Sequence, residues 1–330
     1  MKYVFFLSGE NLELAQDEIT HLFQNSSILG VDGQIAIVDI GGRNSGSSVV
    51  EAEGKFDRLA LTHEVWRSIG TCDIEELENV FEELEMPSKK LCVRVLRSVH
   101  AQIDSALMER ILGEVLWERG AKISVSDPEV IIKVYVSSRA YVGILVHSRD
   151  KKQFLERQPD LKPYFRPGVI IPKFARTLVN ISEVERGEVL LDPMCGAGTI
   201  LTEAGLMGVN FMGVEAYADI VEGCAVNLKH YGLPVNVLRG DVKALPFKDE
   251  TFHTIITDFP YMKSSRSFGS IDTLYRQSLE EFRRVLLSGR KAVIISNKDV
   301  DDLLLNHFSI EKKFYQRVHG SLIRRFYLLH

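Results

Sequence analysis

Cysteine is scarce in this 330-residue chain. There are four, Cys72, Cys92, Cys195 and Cys224, with no CxxC pair and no Cys/His cluster at zinc-finger spacing. That speaks against a disulfide framework or a structural zinc and fits a reducing, cytoplasmic compartment. Long apolar runs are also missing. The N-terminal MKYVFFLSGE is broken by Glu10 and reads as a first strand, not as a signal or membrane helix. Nor is there a surplus of basic charge, since 40 Lys and Arg stand against 45 Asp and Glu, a formal net charge of −5. The total does not mark a nucleic-acid binder, but the distribution is uneven. Residues 71–88 carry seven acids and no Lys or Arg, 89–100 carry Lys89, Lys90, Arg94 and Arg97 and no acid, and 151–180 carry seven basic residues against Glu156 and Asp160. Such stretches are solvated surface or sites for phosphate.

What is present divides the chain. At this length two or three domains are expected. Residues 1–65 read as a small α/β unit, with strands at Tyr3 to Leu7 and Ile35 to Ile40 around a helix from Asn11 to Phe23. Residues 66–150 read as a second unit: an acidic helix from Ile74 to Leu84, a strand from Leu91 to Leu96, a helix from Ile103 to Arg119, and a hairpin turning at Ser138-Arg139. Four prolines between Gln158 and Pro172 predict a stiff, basic linker over 151–173. Over 174–330, apolar runs ending in polar residues alternate with helical segments. This predicts an α/β, Rossmann-like domain whose mostly parallel sheet is covered on both faces, with its ligand site at the carboxyl ends of the strands.

Three of those strand ends carry a coherent chemistry. Asp192-Pro193-Met194-Cys195-Gly196-Ala197-Gly198-Thr199 leaves the first strand and opens a helix. Its glycines let a ligand approach the backbone, but Leu201 stands where a third glycine would complete a dinucleotide fingerprint, which disfavours pyrophosphate and a nicotinamide dehydrogenase. Glu215 ends the second strand, where an acid can take the hydroxyls of a ribose. Asp241, in Arg239-Gly240-Asp241-Val242, can accept from an exocyclic amine such as adenine's. Together they suit an adenosine with a non-phosphate tail, such as S-adenosylmethionine, whose positive charges favour an acid-lined mouth. Strand-end acids also serve as helix caps and turn residues.

The fourth strand ends in TDFPYMKSS, residues 257–265. Asp258 and the Phe259 carbonyl can accept the two N–H groups of an aromatic amine, Pro260 stiffens the turn and Tyr261 can stack on the ring. An aromatic amine has its lone pair delocalised, so two acceptors would help aim it at a methyl donor. No metal or nucleophilic triad is called for.

The segment resembles the fourth-strand motif of class I S-adenosylmethionine-dependent amino-methyltransferases, departing from it at Phe259, where that family usually has proline. With KPYFRPGVIIPKFARTLVNIS (162–182), DPMCGAGTILTEAGLMG (192–208) and VHGSLIRRF (318–326), it resembles the archaeal-type tRNA guanosine-10 N2-methyltransferases. The resemblance implies a ferredoxin-like segment and a THUMP RNA-binding domain before a catalytic domain whose mostly parallel sheet ends in an antiparallel strand, where His319, Ser321 and Arg324 pack the strand or serve the site, and transfer of one or two methyl groups to guanine N2 of tRNA. It assigns Asp192, Gly196 and Gly198 to the cofactor loop, Glu215 to the ribose, Asp241 to adenine, and Asp258 through Tyr261 to the target guanine. Arg166 is expected to help close the cofactor site. Lys89, Arg94, Arg97, Lys151, Lys152, Arg157, Lys162 and Arg166 are candidates for RNA contact. The motif alone leaves open another exocyclic amine, in ribosomal RNA or as adenine N6 of DNA, and an inactive RNA-binding protein. A partner subunit is not readable from the sequence.

Overall fold

The computed structural model describes residues 1–41, 49–85, 87–150, 152–260, 271–319 and 322–330. It divides into two compact units, Met1–Arg149 and Asp150–His330. The first contains β1 (Lys2–Leu7), α1 (Leu12–Leu22), β2 (Ser26–Asp32), β3 (Ile35–Ile40), α2 (Val49–Glu53), β4 (Thr62–Cys72), α3 (Leu77–Glu83), β5 (Leu91–Arg97), α4 (Ser105–Glu118), β6 (Val130–Val136) and β7 (Ala140–Ser148). One sheet runs β2-β3-β1-β4-β7-β6-β5, antiparallel except where β5 pairs with β6. Asn11 caps α1 by accepting from the Leu14 N–H, and α1 buries Leu14, Ala15, Ile19 and Leu22 at its foot.

The boundary expected between residues 65 and 66 falls inside β4, which hydrogen-bonds to β1 on one side and β7 on the other. β4 was not legible as a strand. Bulges between Val65 and Trp66 and between Ser68 and Gly70 break its alternation. Its Glu64 carboxylate accepts from Lys133 Nζ at 2.8 Å and from the Trp66 indole N–H at 2.9 Å.

The second unit contains α5 (Lys152–Leu155), α6 (Pro172–Ile181), β8 (Val189–Asp192), α7 (Thr199–Leu206), β9 (Asn210–Glu215), α8 (Ala218–His230), β10 (Val237–Arg239), β11 (Thr254–Asp258), α9 (Ile271–Val285), β12 (Ala292–Ser296), α10 (Asp301–Leu304), β13 (Ile310–His319) and β14 (Leu322–Leu329). The sheet order is β10-β9-β8-β11-β12-β14-β13. The first five strands are parallel and β14 is antiparallel to both its neighbours. These parallel strands are near-continuous apolar runs because helices cover both faces. From β8 the chain winds outward through β9 and β10, then returns to place β11 on the other side of β8. The order therefore reverses between β8 and β11, where an open α/β sheet forms its crevice.

Of the residues read as a linker, 152–173 fold into this second unit. Pro172 starts α6 as its first helical residue, the position where a missing N–H costs nothing. Arg157 makes a two-point contact with the Glu203 carboxylate at 2.7 and 3.1 Å, and Lys162 Nζ donates to Thr199 Oγ1 at 2.9 Å. Tyr164 exchanges backbone bonds with the Asn227 side chain, each 2.9 Å. The segment is thus a strap tied to α7 and α8. A Cβ on Gly223 would sit 2.3 Å from the Tyr164 ring. Gly223→Ala should therefore lose about 1–3 kcal/mol, although the same change elsewhere in a helix gains about 1 kcal/mol. Urea unfolding checks the sign.

Candidate active site

Strand geometry brings the predicted residues to one place. A cavity of about 810 Å³ opens at the switch point, within the size range of ligand pockets. Its walls include Asp192, Pro193, Cys195, Gly196, Thr199, Glu215, Asp241, Val242, Asp258, Phe259 and Pro260, with Arg166 from the strap. Gly198 stands just behind the wall. It caps α7 at φ 78°, and a Cβ there would meet Cys224 Sγ at 2.6 Å. Only glycine satisfies both the left-handed backbone and that contact. Tyr261 lies outside the described residues.

The carboxylates differ in what holds them. Glu215 Oε2 accepts from the Gly196 N–H and Oε1 from the Tyr217 N–H, each at 3.2 Å. It fastens the glycine loop to β9 while lining the cavity. Burial raises its pKa, against the pull of those N–H groups and of Arg166. Asp241 is at the rim, its Oδ1 accepting from the Lys243 N–H at 3.0 Å, so one oxygen also builds the turn. Asp192 is 2% exposed and its Oδ1 accepts from Thr257 Oγ1 at 2.9 Å. Burial, with the charges of Asp258 and Glu215, pushes its pKa up to about 8.

Asp192 is therefore protonated at neutral pH and binds its proton more tightly folded than unfolded. Its contribution to stability falls as pH rises from about 4 towards about 8. In Asp192→Asn this decline should flatten, leaving the variant more stable than the parent at pH 8 but not at pH 5. Urea unfolding at the two pH values measures it.

The departure at Phe259 has a structural reason. Its ring is 1% exposed and turns into the core, stacked on Tyr275 at 4.1 Å between centroids. Its N–H donates to the Ile295 carbonyl at 2.9 Å, a bond proline cannot make. The Tyr275 hydroxyl steadies the next residue by donating to the Pro260 carbonyl at 3.0 Å. Cys195 and Cys224 are buried, free thiols. The neighbouring Cys224 and burial push Cys195 well above the usual thiol range, so it fills space and is no nucleophile.

The donor set fits S-adenosylmethionine. Beside the protonated Asp192, four acids (Glu215, Asp219, Asp241, Asp258) line the cavity against three cations (Arg166, Arg239, Lys243), a balance that tolerates a cationic ligand. Gly196, with φ 51°, would project a Cβ that meets nothing within 4 Å, so the loop leaves open space beside the backbone.

The other candidates are dispersed. Lys89 and Arg97 are exposed on the first unit, Arg94 is held by the Val93 and Val125 carbonyls, Lys152 is exposed on α5, and Lys151 lies outside the described residues. Arg157 and Lys162, expected to face RNA, are instead turned inward onto Glu203 and Thr199. Tyr164, Gly168, Tyr217 and Leu274 also line the cavity and were not singled out. Tyr217, two residues after Glu215, was the one with a local signal.

Comparison with known proteins agrees with this geometry. Residues 159–325 match the family described as UPF0020, RMKL-like, methyltransferase domain. The chain is 35% identical to the tRNA (guanine(10)-N2)-dimethyltransferase of Pyrococcus abyssi, over 83% of this chain and 85% of that protein. It is 32% identical to the protein of the same name from Methanothermobacter thermautotrophicus, over 98% of each. Among solved structures, TrmN from Thermus thermophilus shares the fold at TM-score 0.57 and 20% identity, covering 100% of this chain and 99% of that one.

Proposed function

This chain belongs to the RMKL-like methyltransferase family, with archaeal tRNA (guanine-N2)-methyltransferases among its relatives, and on that premise we propose that it methylates the exocyclic N2 of guanosine 10 in tRNA. S-adenosylmethionine is the cofactor, and when bound it supplies an electrophilic methyl group. The relatives' names extend the proposal to two successive methylations. The observation that carries it is Asp258 at the wall of an acid-lined cavity, at the reversal of the sheet, followed by Phe259 and by a Pro260 whose carbonyl the Tyr275 hydroxyl holds.

In this reading Glu215 takes the ribose hydroxyls, Asp241 and Val242 border the adenine, and the 192–199 loop holds the amino-acid tail. Asp258 and the Phe259 carbonyl accept the two N–H groups of the guanine amine, which localises its lone pair, and Asp258 removes the proton released. A stacked guanine cannot reach such a cavity, so the base leaves its stack at a cost of a few kcal/mol. We assign residues 1–65 and 66–150 to the ferredoxin-like and THUMP segments, although both contribute to one sheet. Lys89, Arg97 and Lys152 would contact tRNA phosphates. Among the described residues no helix is long and apolar enough to cross a membrane, and the cytoplasm is the compartment we assign.

The test is incubation with methyl-labelled cofactor and separate pools of tRNA, ribosomal RNA and DNA. Label should enter tRNA; label confined to DNA or ribosomal RNA would replace this substrate, and failure to bind cofactor would favour an inert RNA-binding protein.

A further inference from the structure

Arg324 is 2% exposed, one of the largest side chains sealed inside the second unit. Its Nε lies 3.9 Å from Asp258 Oδ2, and an Nη donates to the carbonyl of Gly168 on the strap. Asp258 and Gly168 both line the cavity. The topology explains how a residue so near the C-terminus arrives there. Because β14 is antiparallel to β12, its first residues come level with the carboxyl ends of the parallel strands: Asp258 pairs with Ile295, and Ile295 with Phe326. Strand alternation then sends Arg325 to the face where it donates to the Asn297 carbonyl, and Arg324 to the opposite, buried side.

Burying a guanidinium costs several kcal/mol unless it is well partnered, so packing alone does not call for arginine here. The charges around Asp258 supply a reason. Asp192 faces it from β8 and feels its charge. Glu215 and Asp241 from β9 and the turn after β10, and Arg166 from the strap, line the same cavity. α9 reaches the turn through the neutral Tyr275 hydroxyl. Arg239 and Lys243 line that cavity too, but Arg324 brings a buried, fixed positive charge within 3.9 Å of the Asp258 carboxylate, and an adjacent cation favours the ionised form of an acid.

We propose that Arg324 is a positioning residue for methyl transfer: its buried guanidinium keeps the Asp258 carboxylate ionised and oriented to accept the target amine, and ties the Pro167-Gly168 strap across the cofactor cavity. This rests on the guanine-N2 reading above.

The test compares wild type, Arg324→Met and Arg324→Lys for turnover on tRNA from pH 5.5 to 9, with cofactor affinity by calorimetry. Wild-type labelling of tRNA is established first, so that its absence counts against the function and not against Arg324. Arg324→Met should acquire an acid limb in kcat displaced upward by about 1–3 pH units. Its deficit should be about 100-fold at pH 6 and shrink as pH rises. Arg324→Lys should keep the wild-type pH profile and lose mainly cofactor affinity, because one ammonium replaces a fork serving both Asp258 and Gly168. A deficit in Arg324→Met equal at every pH would reduce the residue to packing and overturn the proposal. Should the methionine variant fail to bind cofactor, Arg324→Lys decides alone, an altered pH profile overturning the proposal and a wild-type one sustaining it.

Discussion

Asp258→Ala is expected to lower tRNA methylation about 1,000-fold while leaving cofactor affinity within about threefold of wild type. The side chain stands at the end of β11, one-fifth exposed and facing the cavity, where it both accepts from the amine and removes a proton. Neither task involves the glycine loop or Glu215, so binding of the adenosyl portion should survive. Asp258→Asn keeps an acceptor of similar shape but no negative charge, and should fall between, about 100-fold down. Single-turnover transfer with saturating cofactor, alongside calorimetry, separates the two quantities. Wild-type turnover in Asp258→Ala would remove the residue from the chemistry.

Glu215→Ala should weaken cofactor binding about 100-fold, since hydrogen bonds to a charged acceptor contribute about 1.5–3 kcal/mol each. The loss has two sources. A ribose would lose its carboxylate, and the glycine loop would lose the anchor at the Gly196 N–H. Turnover at saturating cofactor should change far less than affinity. Glu215→Gln, which keeps the anchor's acceptor, should lose less. An unchanged dissociation constant in the alanine variant would move the ribose elsewhere.

The catalytic sheet was legible because its strands are buried on both faces. β11 and β12, Thr254–Asp258 and Ala292–Ser296, are the apolar runs with polar ends that the alternation over 174–330 announces, and such runs leave little choice of register. For the same reason most residues expected around the cofactor reach one cavity. Elsewhere local patterns misled. The edge strand β2 alternates between partly buried and exposed positions along its length and has no apolar face to announce it. The proline-rich basic stretch looked like a free linker with an RNA-facing charge. Its Arg157, with Arg176 of α6, instead converges on Glu203, an acid 46 and 27 residues away respectively. Such a pairing depends on how α6 and α7 pack, which no local spacing encodes. Arg324 illustrates the same limit, its relation to Asp258 existing only because β14 enters the sheet antiparallel.

The claim on which most depends is that the Asp258 turn presents a guanine amine to the methyl donor. It is tested most directly by digesting enzymatically labelled tRNA to nucleosides and identifying the labelled one. The expected products are N2-methylguanosine and N2,N2-dimethylguanosine, lost when the target guanosine is replaced by inosine, which lacks the amine. Label recovered in N6-methyladenosine, or retained in the inosine-substituted tRNA at the target position, would contradict it.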